Sequence, residues 1–160
     1  MMVEKLATVK HRGGDLFIYP LSTTTTGLWL VHGPYARLRA ADPLAERGSA
    51  ALRALAASGR SIPHPTDFKS VGAEILKLAG VRSWAVFERD ASTVHLELGG
   101  GSMRLVPHEN RTEESQGHIP MEKLAIQLPL DASAEQVGEA IDRALELCQK
   151  ADKGRFSVGE

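Results

Sequence analysis

The sequence predicts an α+β fold, with a mainly antiparallel sheet of about five to six strands and about three helices packed chiefly on one face. Three observations lead to it. Residues 131–150 read as one complete amphipathic helix: Ser133 caps its first turn, Gln136 completes a capping box, and Val137, Ala140, Ile141, Ala144, Leu145 and Cys148 form one apolar stripe. Residues 42–55 repeat the phrase of 131–145 after a single-residue gap, with Asp42 matching Asp131, Glu46 matching Glu135, Gly48 matching Gly138 and Arg53 matching Arg143. Residues 93–106 alternate apolar and polar on either side of a triple glycine, as a β-meander does.

The repeated phrase suggests two related halves, each a strand feeding a helix, that share one core. Chance similarity between two alanine-rich helices is the competing reading. A glycine inside a helix costs about 1 kcal/mol relative to alanine. Its presence in both copies suggests close backbone packing, with the sheet as the expected neighbour.

In chain order, residues 1–14 begin as a strand or a loose segment. Residues 16–19 are short and apolar, and Pro20 interrupts them, which suggests an edge strand. The hydroxyl-rich run 22–26 reads as a solvated strand end rather than a phosphate loop. Residues 28–31 read as a buried strand. Residues 35–40 alternate apolar and basic, as a half-exposed strand does. A helix spans 43–58, started by Pro43 and stopped by Gly59. A second spans 67–79, closed by Gly80. Residues 83–88 (Ser-Trp-Ala-Val-Phe-Glu) read as a strand. In the meander, Val94, Leu96 and Leu98 take one face, His95 and Glu97 the other. Residues 107–117 are polar and unperiodic, as in a mobile surface loop. A last strand, 124–130, leads into the closing helix.

At 160 residues the chain suits one domain, expected over 1–150 with a flexible tail at 151–160. The net charge of −1 carries no polyanion-binding signature, so nucleic acid is not an expected partner. No apolar run approaches the roughly 20 residues of a membrane span, and the N-terminus lacks a secretory h-region. The expected location is cytoplasmic.

No catalytic constellation emerges. The triple glycine joins two strands, whereas a phosphate-cradling loop must feed a helix. The six histidines (His11, His32, His64, His95, His108, His118) form no metal-ligand spacing, so neither metal nor cofactor is expected. The single cysteine, Cys148, lies on an apolar stripe near a helix C-terminus, where core packing is the expected role. Glu88, Asp90 and Glu97 cluster near a turn, and Glu109, Glu113 and Glu114 cluster in the long polar segment. A binding protein is therefore favoured over an enzyme. A small enzyme using scattered His and Glu residues, or a homo-oligomeric adaptor, stays open.

Several phrases resemble the immunity proteins of bacterial contact-dependent growth inhibition. They are residues 54–60 (ALAASGR), residues 83–87, the alternating strand 94–98, the strand ending at Pro107 and His108, and above all residues 128–148. The likeness covers about residues 40–150, and the connection between Gly59 and Asp67 is shorter than the resemblance would suggest. It implies a cytosolic antidote that forms a 1:1 heterodimer with the toxin domain of a cognate CdiA-type effector, often a nuclease. For such a partner, Glu88, Asp90 and Glu97, or Glu109, Glu113 and Glu114, are the expected acidic contacts.

Overall fold

A computed structural model describes the backbone of residues 2–158 and the side chains of residues 2–152. The chain builds two successive units of the same plan. The first is β1 (Lys5–Arg12), β2 (Asp15–Thr23), β3 (Trp29–Val31), β4 (Ala36–Arg39) and α1 (Leu44–Ala57). Two short helices follow, α2 (Ala73–Ala79) and α3 (Trp84–Arg89). The second unit is β5 (Ala91–Gly99), β6 (Ser102–Asn110), β7 (His118–Pro120), β8 (Ile126–Leu128) and α4 (Ala134–Val158).

All strands join one antiparallel sheet of eight, in the order β3-β2-β1-β5-β6-β7, with β4 also on β2 and β8 also on β6. In each unit a long hairpin thus carries two short strands end to end on its outer edge. The inner strands β1 and β5 pair at the centre, with Val9 opposite Val94. The repeat expected from residues 42–55 and 131–145 is a repeat of the whole unit.

The helices α1 and α4 cross on one face, over Ala7, Val9, Leu16, Ile18, Val94, Leu96 and Leu105. Their contact explains the paired glycines. A Cβ on Gly48 would lie 1.7 Å from the Ala134 carbonyl oxygen, and one on Gly138 would lie 2.2 Å from the Leu44 carbonyl oxygen. Each glycine therefore meets the residue four before its counterpart. The close neighbour is the other helix and not the sheet, and the alanines beside them (Ala50, Ala51, Ala54, Ala140, Ala144) keep the two backbones near. Arg47, buried, ties the units together by pairing with Asp142 while its Nε donates to the Asp42 carbonyl at 2.7 Å. The capping box of α4 forms as the sequence implies: Ser133 Oγ accepts from Gln136 N–H at 3.1 Å, and Gln136 Oε1 accepts from Ser133 N–H at 2.8 Å.

Several local expectations change. Residues 83–88 form the helix α3 and not a strand. Ser83 Oγ accepts from Val86 N–H, and Trp84 and Phe87, three apart, both turn inward. An N-cap outweighs the β-propensity of an aromatic run. The helix expected over 67–79 is a 3-10 turn at Phe68–Ser70 followed by α2, because Gly72, at φ +75°, breaks the path and lets Trp84 pack against it. Residues 107–117 are not a free loop: β6 runs to Asn110, and a 3-10 turn (Thr112–Glu114) returns the chain to β7.

Strand β2 has neighbours on both sides. Pro20 is accommodated because its carbonyl accepts from His32 N–H, so its missing donor faces the break between β3 and β4. The closing helix continues past Lys150 to Val158, while Gly159 and Glu160, the end of the expected tail, lie outside the described residues. The two long helices share one face, as expected, and the short α2 and α3 cover the second with Ile75 and Phe87.

Candidate functional site

Strand alternation decides what the second face holds. Residues opposite the α1/α4 core are Thr8 and Lys10 on β1, Phe17 and Tyr19 on β2, Thr93, His95 and Glu97 on β5, and Arg104, Val106 and His108 on β6. Toward β3 this face is closed by Phe17, Tyr19, Ile75 and Phe87. Toward β7 it opens into a cleft of about 360 Å³, lined among others by Lys10, Tyr19, Glu88, His95, His108 and His118.

Charge in the cleft is organised around Glu88 of α3. Its Oε1 accepts from Lys10 Nζ at 2.6 Å, and its Oε2 lies 3.1 Å from His118 Nε2. The same His118 nitrogen is 2.9 Å from the Glu88 carbonyl, an acceptor, so Nε2 carries a proton. His108 Nδ1 likewise donates to the Val106 carbonyl at 3.0 Å, leaving Nε2 as the other ring nitrogen. The His95 and His108 rings lie 4.3 Å apart. Lys10 is 3 % exposed and also lies over the Phe87 ring, 5.3 Å from its centroid.

Burial governs the acid–base behaviour. It pushes His108 down to about 4, helped by the nearby His118 and Lys10, and holds His95 well below the ordinary histidine range, helped by His108, Lys10 and His118. Burial also lowers His118 and Lys10, with Glu88 opposing the shift in both. Two buried polar atoms here, Thr93 Oγ1 and His118 Nδ1, have no hydrogen-bond partner. Among the described residues no group of three or more His, Cys, Asp or Glu is arranged to hold a metal. Cys148 is buried with its Sγ donating to the Thr93 carbonyl at 3.4 Å, and burial raises its thiol to about 11.

The six acidic positions separate into three settings. Asp90 and Glu113 line one surface cleft of about 270 Å³, together with Asp152. Asn110 builds that corner. Its Nδ2 donates to the carbonyls of Glu88, Arg89 and Ala91, its Oδ1 accepts from Thr112, and its N–H donates to Asp152 Oδ1. Glu109 and Glu114 lie on either side of Arg111, at 3.5 and 3.7 Å. Glu88 turns inward, and Glu97, 8 % exposed, pairs with Arg104, which also meets Glu122.

Sequence reasoning weighed the three cleft histidines only as members of a scattered set, and it passed over Lys10 altogether. The available signal was Lys10 at an inward-alternating position of β1, between the apolar Val9 and the strand end.

Comparison with known proteins gives the family. The profile described as "CdiI: CDI immunity protein" matches residues 32–148, most of the chain. The chain belongs to the CDI immunity protein family. No curated protein matches it. Among solved structures, the protein of unknown function NMB0488 from Neisseria meningitidis superposes with a TM-score of 0.69 at 18 % identity, over 92 % of this chain and 98 % of that one. A chain of the CdiA-CT/CdiI toxin and immunity complex from Yersinia pseudotuberculosis superposes with a TM-score of 0.68 at 14 % identity, over 90 % of this chain and 97 % of that one. At those identities the likeness shows that the fold is shared. No helix among the described residues is long and apolar enough to cross a membrane.

Proposed function

We propose that this immunity protein neutralises the C-terminal toxin domain of one cognate CdiA-type effector by binding it 1:1 in the cytoplasm, without catalysis. The observation that carries the reading is the family match over residues 32–148. The fold shared with a chain of a toxin and immunity complex supports it.

The toxin is a nuclease in this reading. A nuclease must attract phosphate and so presents basic surface. Asp90 and Glu113, both exposed on the cleft beside Asp152, with Glu109 and Glu114 around Arg111 on the same 3-10 turn and strand end, offer the complementary charge. Glu88 and Glu97 contribute by holding the strands and α3 in place, since each is engaged in an internal ion pair.

The test is co-purification with the toxin domain encoded immediately upstream, followed by titration calorimetry of the separated pair. A 1:1 complex at nanomolar affinity, about −12 kcal/mol or tighter, is expected. A folded toxin domain that does not bind overturns the reading. A toxin that binds but leaves both RNA and DNA intact when alone overturns the nuclease assignment only.

A further inference from the structure

The cleft under α3 carries groups that toxin binding at the acidic corner leaves unused. Six elements bring titratable side chains to it. Lys10 comes from β1, Tyr19 from β2, Glu88 from α3, His95 from β5, His108 from β6 and His118 from β7. Four of these six side chains can be cationic, and Glu88 is the one carboxylate among them. Glu122 and Asp152 act on His108 and His118 only from the periphery. Burial, reinforced by Glu88, raises the Tyr19 hydroxyl, so it stays neutral.

We propose that this cleft is a binding site for a small phosphate-type oxyanion, free or as the terminal group of a phosphate monoester, with Lys10, His95 and His108 as its donors.

The chemistry excludes the other ligand classes. A cationic ligand would face Lys10, which Glu88 already balances. A metal ion has no set of three ligands among the described residues. An apolar ligand would leave the Thr93 hydroxyl buried without a partner, as it is now. An oxyanion accepts from Lys10 Nζ and from the unpartnered Thr93 Oγ1, in a setting where Phe87, Val31 and Trp84 lower the local dielectric. In the empty cleft burial first, and then the repulsion of the histidines by one another and by Lys10, keeps the imidazoles neutral. A bound anion reverses that balance, so the site takes up a proton with its ligand.

The experiment uses the whole protein in phosphate-free buffer, with inorganic phosphate and ribose 5-phosphate as probes. Imidazole resonances are followed by ¹H–¹³C NMR as each probe is added, at pH 6.5 and 7.5. The resonances of His95, His108 and His118 are expected to move together and their titration midpoints to rise. With one proton taken up per anion, affinity is about tenfold tighter at the lower pH. Tighter binding of ribose 5-phosphate identifies a monoester site, and equal or weaker binding identifies a free-anion site. His108→Gln is expected to lose at least about tenfold in affinity. Unmoved imidazole resonances in the wild-type protein at saturating phosphate overturn the proposal, as does a folded His108→Gln variant with unchanged affinity. Neither result depends on the toxin.

Discussion

Under α1 and α4 the sheet is apolar, and the two helices touch backbone to backbone through glycine and alanine. Under α2 and α3 the same sheet buries a lysine, a tyrosine and histidines against two helices of seven and six residues. The first face is specified by shape, since any added atom at the crossing collides with a carbonyl. The second is specified by polar pairing, since Lys10 and His118 are tolerable there only while Glu88 answers them. One face therefore holds the two units together, and the other leaves a cleft with chemistry in it.

That contrast can be broken most severely at the helix crossing. Gly48→Ala places a methyl inside the Ala134 carbonyl and is expected to destabilise by about 3 kcal/mol or more, read by urea denaturation. Gly138→Ala should cost a similar amount. The double variant should cost less than the sum, because separating the helices once relieves both clashes. A loss under about 0.5 kcal/mol for either single variant would mean the helices are not in backbone contact.

On the polar face, Lys10→Met leaves the Glu88 carboxylate with His118 alone and is expected to cost about 3 kcal/mol. Adding Glu88→Gln should recover part of that loss. If the double variant is no more stable than Lys10→Met, the pair is not what organises the face.

Acid separates the faces without mutation. His108 stays neutral in the folded protein down to about pH 4, while an unfolded histidine takes its proton at about 6.5. Between those values the unfolded state binds the additional proton, so stability falls as pH drops through the window, by up to about 1.4 kcal/mol per pH unit for each such group. His108→Gln should flatten the dependence in phosphate-free buffer. An unchanged slope would mean the histidine is already protonated in the fold.

The smallest effect is expected at the acidic corner. Asp90→Lys and Glu113→Lys are exposed changes that should alter stability by no more than about 0.5 kcal/mol. In the proposed complex they slow toxin association by about tenfold at low salt. An unchanged association rate removes the corner from the interface.

The apolar face was legible in the sequence because its signals are periodic and local. The stripe through Val137, Ile141 and Cys148, the alternation through Val94, Leu96 and Leu98, and the matched glycines all survive in the structure. What the glycines meet was not legible, because a close approach has no sequence signature for its partner. The polar face stayed hidden for a different reason. Lys10, Glu88, His95, His108 and His118 come from five elements and share no spacing, so only strand register brings them together. Reading residues 83–88 as a strand also removed α3, the element that carries Glu88 into the cleft. The acidic positions were found by charge clustering, but chain proximity could not separate outward Asp90 from inward Glu88, two residues away.

The central claim, stoichiometric neutralisation of a cognate toxin, is tested most directly by titrating this protein against a fixed amount of active toxin domain and measuring the toxin's residual activity, which for the proposed nuclease is nucleic-acid cleavage. Activity should fall linearly and reach zero at one equivalent, with Asp90→Lys shifting the rate of inhibition but not the end point. Cleavage that persists at full strength through a severalfold excess of folded immunity protein would contradict the account.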